Sequence, residues 1–512
     1  MDRRAEILYH HIDLMKETYI KRLKEFVAIP SISEDLNHRL DVLRALRWCG
    51  IRLKNMGFDI RYRIVGTENV YIGDEVPLRT EETAHLPYLL CASLGYDTTK
   101  YTLLIYGHVD VKMIAPGEVW NGDPFEMQVV GDFIYGRGVT DDKGPVLGWI
   151  NAIETFTQCA IELPVNVRFL IDGSEETGSE LIPELLRELR KDFLVGVDFV
   201  AISDNYWLNM DTPCLTYGLR GVIYFYVYVD GSSRVLHSGT HGGAVQNPLV
   251  DLEALMCSLV STNGTILVPG AYSCVRRPTE AELRQDYFFS QNFETLDFDP
   301  ATYAKQIGTD ALYSNDKVEL LRRRWLLPAV EFHGIEKSFD RIGAPTLIPK
   351  SVMGKFSLRI VPDQNPYLMS ERFKCYLHQM HYRRCSGNRL RVKSFIDGRA
   401  FLADHTCVNY RAAYKALEEV WKKKPDLTRD GATIAMACTL EETTNRDVVL
   451  IPMGECQDFQ HEARERMSVR NYINGIKVFV SYLCNLSAAI IEDSEDEDMR
   501  QEDRDRWRKR FW

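Results

Sequence analysis

The spacing of apolar positions changes several times along the chain, and each change predicts a change of architecture. Between Ala5 and Phe26, residues Ile7, Leu8, Ile12, Met15, Tyr19, Leu23 and Phe26 recur at helical intervals. This predicts a helix, ended by Pro30. From Tyr101 short unbroken apolar runs alternate with helical stretches: TLLIY (102–106), GPVLGWINAIETF (144–156), VNVRFLI (165–171), SELIPELLRELR (179–190) and DFVAIS (198–203). Such alternation predicts an α/β domain, a largely parallel sheet with helices on both faces.

After Pro213 the texture turns antiparallel. LTYGLRGVIYFYVYVDG (215–231) reads as one long strand, VMGKFSLRIV (352–361) as a second and NRLRVKSFI (388–396) as a third. PLVDLEALMCSLV (248–260) and YLMSERFKCYLHQM (367–380) read as amphipathic helices between them. The expectation is an α+β unit over 216–396 inserted into an α/β domain over 1–215 and 397–512. The α/β pattern returns in NYRAAYKALEEVW (409–421), VVLIPMG (448–454) and a helix around 470–486. Weak periodicity leaves 264–340 unassigned, and the charged tail 492–512 reads as disordered.

Composition narrows the classes of function. With 512 residues, 45% apolar and 26% charged, the chain has the balance of a soluble protein of two or three domains. A net charge of −11 argues against a nucleic-acid partner, which needs clustered basic surface. No stretch reaches the roughly 18 apolar residues of a membrane span, and the opening segment lacks an apolar secretory leader. Twelve cysteines without a CxxC pair read as thiols of a reducing compartment, so a cytoplasmic location is expected.

The chemistry concentrates where strands end. TLLIY runs into Gly107-His108-Val109-Asp110, and VNVRFLI runs into Asp172-Gly173-Ser174-Glu175-Glu176. DFVAIS ends in Asp204, VVLIPMG is followed by His461, and Asp141 and Asp142 precede the helix near Pro145. Ligands of open α/β sheets bind beyond the carboxyl ends of the strands. So many acids crowded at one edge repel one another unless cations compensate them. Imidazole with carboxylate suits zinc or manganese rather than a soft thiolate site.

The motifs GHVDV, W-x-x-DPF (120–125), YGRGVTDDKGP, DGSEETGS, SDN and LHSGTHGGAVQNP occur in order over most of the chain. In this the chain resembles the aminoacylase/carnosinase-type co-catalytic metallopeptidases, most of all the cytosolic non-specific dipeptidase (Cys-Gly dipeptidase) branch. The resemblance implies two divalent metal ions, zinc or manganese. His108 would bind one ion, Asp141 would bridge both, Glu176 and Asp204 would complete opposite sides and His461 would close the second site. Asp110 would hold His108 in its tautomer, and Glu175 would be the general base. It further implies a lid and dimerisation role for the insert and a homodimer in which His237 of the partner subunit stabilises the oxyanion. Thr346 and Arg359 match positions that grip a peptide substrate's carboxylate.

The substrate shell departs from that pattern. Ala432 stands where the family places a hydroxyl, leaving Thr433 as its substitute, and Ala435 replaces a proline. Cys407-Val408 replaces a His-Pro pair, and Glu462 and Arg464 add charges beside His461. These changes imply an intact hydrolytic site with altered grip. A small peptide or amide substrate is expected, dipeptides first. Two alternatives stay open: an amidohydrolase for a capped or metabolite amide, and a non-catalytic binding protein that keeps the fold.

Overall fold

The computed structural model describes residues 3–64, 70–72, 88–179, 181–276, 293, 295–339, 343 and 345–489. The tail 492–512 lies outside them. The chain forms two compact units. The first takes the chain up to Tyr217, Ala403–Thr428 and the chain from Thr439 on; the second takes Gly218–Leu402 and Arg429–Cys438. The short return of 429–438 to the second unit differs from the expected division, which assigned everything after 397 to the first.

Four strands form the parallel centre of the first unit's sheet, in the spatial order Val448–Leu450, Phe199–Ile202, Thr102–His108 and Asn166–Asp172. Every residue of Thr102–His108 is buried. A strand covered on both faces needs apolar side chains at all positions, which is why it reads as a continuous run. The flanks are antiparallel: Cys214–Leu219 beyond Val448–Leu450, and Tyr88–Leu94 followed by Asp59–Ile64 beyond Asn166–Asp172. Helix Lys143–Gln158 is buried along nearly its whole length. Its Trp149 stacks on Phe479 at 3.9 Å and donates to Ser203 Oγ at 3.0 Å.

Register then aligns the strand ends. His108 lies opposite Asp172, and Tyr106 lies opposite Ile202. Asp204, two residues past Ile202, therefore leaves the sheet level with His108. The glycine between Tyr106 and His108 is required there, since a Cβ on Gly107 would fall 2.7 Å from Asp142 Oδ2. The opening segment is two helices, Arg3–Leu14 and Lys16–Val27, with a break at Met15. Ile7 is left exposed, while Leu8, Ile12, Tyr19, Leu23 and Phe26 are buried.

The second unit is a four-stranded antiparallel sheet ordered Ala329–Glu336, Ser351–Ile360, Gly221–Asp230 and Arg389–Gly398. Helices Pro248–Cys257 and Pro366–Arg383 cover one face, closing a core around Phe225, Val227, Phe356, Leu358, Phe373 and Leu377. Both helices begin with Asn-Pro: the Asn247 and Asn365 side chains accept from the N–H groups of the first turn, and proline fixes φ behind them. The segment 215–231 is two strands, not one, separated at Arg220. Cys214–Leu219 is buried on both faces, whereas Gly221–Asp230 alternates, so one stretch of high β-propensity serves two sheets. The unassigned segment 264–340 includes helices Pro300–Ile307 and Lys317–Trp325 and strand Ala329–Glu336.

Candidate metal centre

Two groups of three side chains in the first unit meet at one carboxylate. His108, Asp141 and Asp204 form one group, and Asp141, Glu176 and His461 the other. Asp141 Oδ1 lies 3.2 Å from His108 Nε2, and its Oδ2 lies 2.9 Å from His461 Nε2. Asp204 Oδ1 is 3.8 Å from His108 Nε2, and Glu176 Oε2 is 3.2 Å from His461 Nε2.

The donor set fits divalent cations. His108 Nδ1 lies 3.0 Å from the backbone oxygen of Asp110, which can only accept, so the proton sits on Nδ1. Nε2 then faces two carboxylates; it is protonated in the absence of a cation and free to give its lone pair to an ion that displaces the proton. It is buried without a hydrogen-bond partner, as is Glu176 Oε1. Unpaired buried polar atoms are costly unless a cation lies among them.

The titration of the groups carries the same strain. Burial works against charge on His108, yet Asp110, Asp141 and Asp204 hold its pKa well above the ordinary imidazole value. Burial also opposes charge on His461, but Asp141 and Glu176 push it up to about 11. Burial raises the carboxyls of Glu175, Glu176 and Asp204. Asp141 goes the other way: burial alone would raise it, but His108 and His461 hold it below the usual carboxylate range.

Asp110 meets both His108 and the turn that carries the two glutamates. Its backbone oxygen, not its carboxylate, is the nearer partner of His108 Nδ1; the carboxylate stands 3.4 Å away. The carboxylate also accepts from the N–H groups of Glu175 and Glu176, at 3.1 and 3.0 Å, and from Ser33 Oγ at 2.6 Å. It thereby fixes the turn Glu175–Thr177, on which the two adjacent glutamates part. Asp172 anchors the same turn through Ser174 and Ser179.

Glu465 does the equivalent for Asp141. Its Oε1 accepts from the N–H groups of Gly138, Thr140 and Asp141 at 2.9, 3.1 and 3.3 Å, and Arg137 pairs with its Oε2 at 3.1 Å. Ser33, Asp172 and Glu465 carry no sequence signal of these contacts beyond Glu465 standing four residues after His461.

The remaining expected residues lie in the second unit. His237 is exposed; its Nδ1 accepts from Gly239 N–H, and its Nε2 lies 3.3 Å from Thr346 Oγ1. Arg359 donates to Thr433 Oγ1 at 2.8 Å, and that hydroxyl donates onward to the Arg220 carbonyl at 2.7 Å. Ala432 is exposed beside this pair, its N–H on Asp430. Back in the first unit, Cys407 immediately precedes helix Val408–Trp421 without a capping hydrogen bond from its side chain, and Arg464 lines a cavity of about 230 Å³ with Trp120, Asp123 and Glu126.

Comparison with known proteins is consistent with this geometry. The model of peptidase family M20/M25/M40 matches residues 104–485. Beta-Ala-His dipeptidase of Rattus norvegicus is 36% identical over 94% of this chain and 95% of its own length. Cys-Gly metallodipeptidase DUG1 of Candida albicans is 36% identical over 93% and 96%. Among solved structures, the di-peptidase Dug1p from Saccharomyces cerevisiae superposes with a TM-score of 0.86 at 32% identity, covering 95% of this chain and 99% of that one. Human carnosine dipeptidase 1 does so with a TM-score of 0.84 at 34% identity and the same coverage. The extent of the family match and the identity to these relatives lead to one conclusion: this chain belongs to peptidase family M20/M25/M40.

Proposed function

We propose that this chain is a di-metal hydrolase whose first substrates are dipeptides. The observation that carries this is the Asp141 carboxylate, which turns one oxygen to each histidine-containing group. His108, Asp141 and Asp204 would hold one divalent ion, and Asp141, Glu176 and His461 the other; zinc and manganese both accept such ligands. When bound, the ions supply an acidified water and a polarised scissile carbonyl.

Glu175 does the proton work. Its carboxylate takes a proton from the attacking water as the new C–O bond forms, then delivers it to the amine nitrogen as the C–N bond breaks. Burial raises its pKa, bringing the carboxyl toward the range where it can both take and return a proton. Arg359 binds the substrate's carboxylate as a guanidinium fork, with Thr346 as a second contact. Ala432 leaves that end of the pocket without the usual hydroxyl. The second unit serves as lid and dimerisation domain, His237 of the partner subunit stabilises the oxyanion, and the dimer works in the cytoplasm.

A capped or metabolite amide is the second reading, because the Thr433 hydroxyl is already spent on Arg359 and the Arg220 carbonyl. Hydrolysis of plain dipeptides beside N-acyl and amide-capped analogues, with manganese and then zinc, decides between the two. Faster turnover of plain dipeptides is expected. Turnover of capped amides alone would move the substrate assignment, and turnover of neither would end it.

The dimer has its own test. His237→Ala and Glu175→Gln proteins should each be inactive, yet mixing them should restore about a quarter of parental activity, since half the dimers then carry one complete site. No recovery after subunit exchange would return His237 to its own subunit or out of the mechanism.

A further inference from the structure

The second unit contains a cavity of about 310 Å³ whose wall is basic and aromatic. It is built largely by the segment whose sequence showed no clear periodicity. Helix Pro300–Ile307 supplies Tyr303, helix Lys317–Trp325 supplies Arg323 and Arg324, and Arg220, Tyr272 and Glu331 complete the lining used here.

Its charges are unequal in how they are spent. Arg323 is paired with an acid: its Nε donates to Glu319 at 2.9 Å, and its Nη1 donates to the Asn263 carbonyl at 3.1 Å. Arg324 is not. Its guanidinium lies over the Tyr303 ring at 4.8 Å and the Phe298 ring at 5.6 Å, and no hydrogen bond or ion pair reaches it among the described residues. Among the described residues Arg220 meets only backbone carbonyls, through Nε to Gly431 and Nη1 to Leu327, which leaves Nη2 without a partner there. Gly431 is small enough to admit it; a Cβ there would come within 2.7 Å of Arg220 Nη2.

Two guanidiniums without a hydrogen-bonded carboxylate therefore share one cavity with a single acid on its wall. Burial and the like charge of Arg359 push Arg220 down to about 10, against the pull of Asp430, and Arg324 adds to the repulsion. An anion would satisfy the unused donors, since guanidinium matches carboxylate geometry and is weakly hydrated. The tyrosines and the neighbouring Leu312, Leu320 and Val330 offer apolar surface to the rest of such a molecule. The volume is at the lower end of small-molecule sites.

We propose that this cavity binds a small organic carboxylate with an apolar or aromatic body, its carboxylate on Arg220 and Arg324 and its body against Tyr303 and the aliphatic wall. The site lies wholly within the second unit, and neither Arg324 nor Tyr303 has a part in the proposed hydrolytic reaction.

The test is calorimetric titration of the metal-loaded full-length protein with phenylacetate, and with phenylacetamide as its uncharged counterpart. Saturable phenylacetate binding is expected, with no saturable phenylacetamide binding. Arg324→Gln should weaken phenylacetate about tenfold, Tyr303→Leu should weaken it by a smaller factor, and both should keep the parental dipeptide hydrolysis rate. Both residues stand partly exposed on short helices, and thermal unfolding of each variant verifies that the fold is kept. The proposal is overturned if phenylacetate does not saturate at millimolar concentration, if phenylacetamide binds as tightly, or if both variants bind phenylacetate as the parent does.

Discussion

Glu175→Gln is expected to keep both metal ions and lose about a thousandfold in turnover. Glu175 belongs to neither ligand group, so its loss should leave each group whole. Glutamine has the same shape, and the backbone N–H that Asp110 holds is untouched by the change. What disappears is the oxygen that accepts a proton, and an amide cannot replace it. Metal content by elemental analysis, beside kcat on a dipeptide, reads both halves of the statement. Retained turnover would remove Glu175 from the proton transfer, and loss of metal would make it a ligand.

Asp141→Asn should cost more, because one carboxylate serves both groups. An asparagine offers a single acceptor oxygen, turns an NH2 toward the other histidine and carries no charge. Metal content should fall from two ions to one or none, with turnover lost along with it. The pH dependence of loading follows from the same contacts. Without cations, His461 holds its proton up to about 11 and His108 holds its own well above the usual imidazole range. Each ion must therefore displace a proton across the whole neutral range. Loading should weaken as pH falls, by about tenfold per pH unit for each proton displaced. In the asparagine variant His461 keeps only Glu176 as an acidic neighbour, so this dependence should shift to lower pH. Equilibrium dialysis against buffered zinc at several pH values measures both effects. Two ions retained by the variant would contradict the bridging role.

What could be read from the chain follows from which interactions leave a trace in spacing. Thr102–His108 and Asn166–Asp172 are legible because strands buried on both faces must be apolar throughout. His108, Glu176 and Asp204 are legible because they follow such strands at once. Ser33, Asp172 and Glu465 are not, because hydrogen bonds to partners from 7 to 328 residues away impose no periodicity. Asp110 is legible as a residue beside His108, but the hold of its carboxylate on the glutamate turn leaves no trace in spacing. The break at Arg220 lies inside an uninterrupted run of strand-forming residues. Only the switch from continuous to alternating burial betrays it, and that switch is visible in the fold alone.

The most direct measurement is anomalous X-ray scattering from crystals of the protein grown with zinc. Two peaks are expected in each chain, one among His108, Asp141 and Asp204 and one among Asp141, Glu176 and His461, with Asp141 touching both. A single peak, or peaks away from these five side chains, would contradict the paired-ion centre.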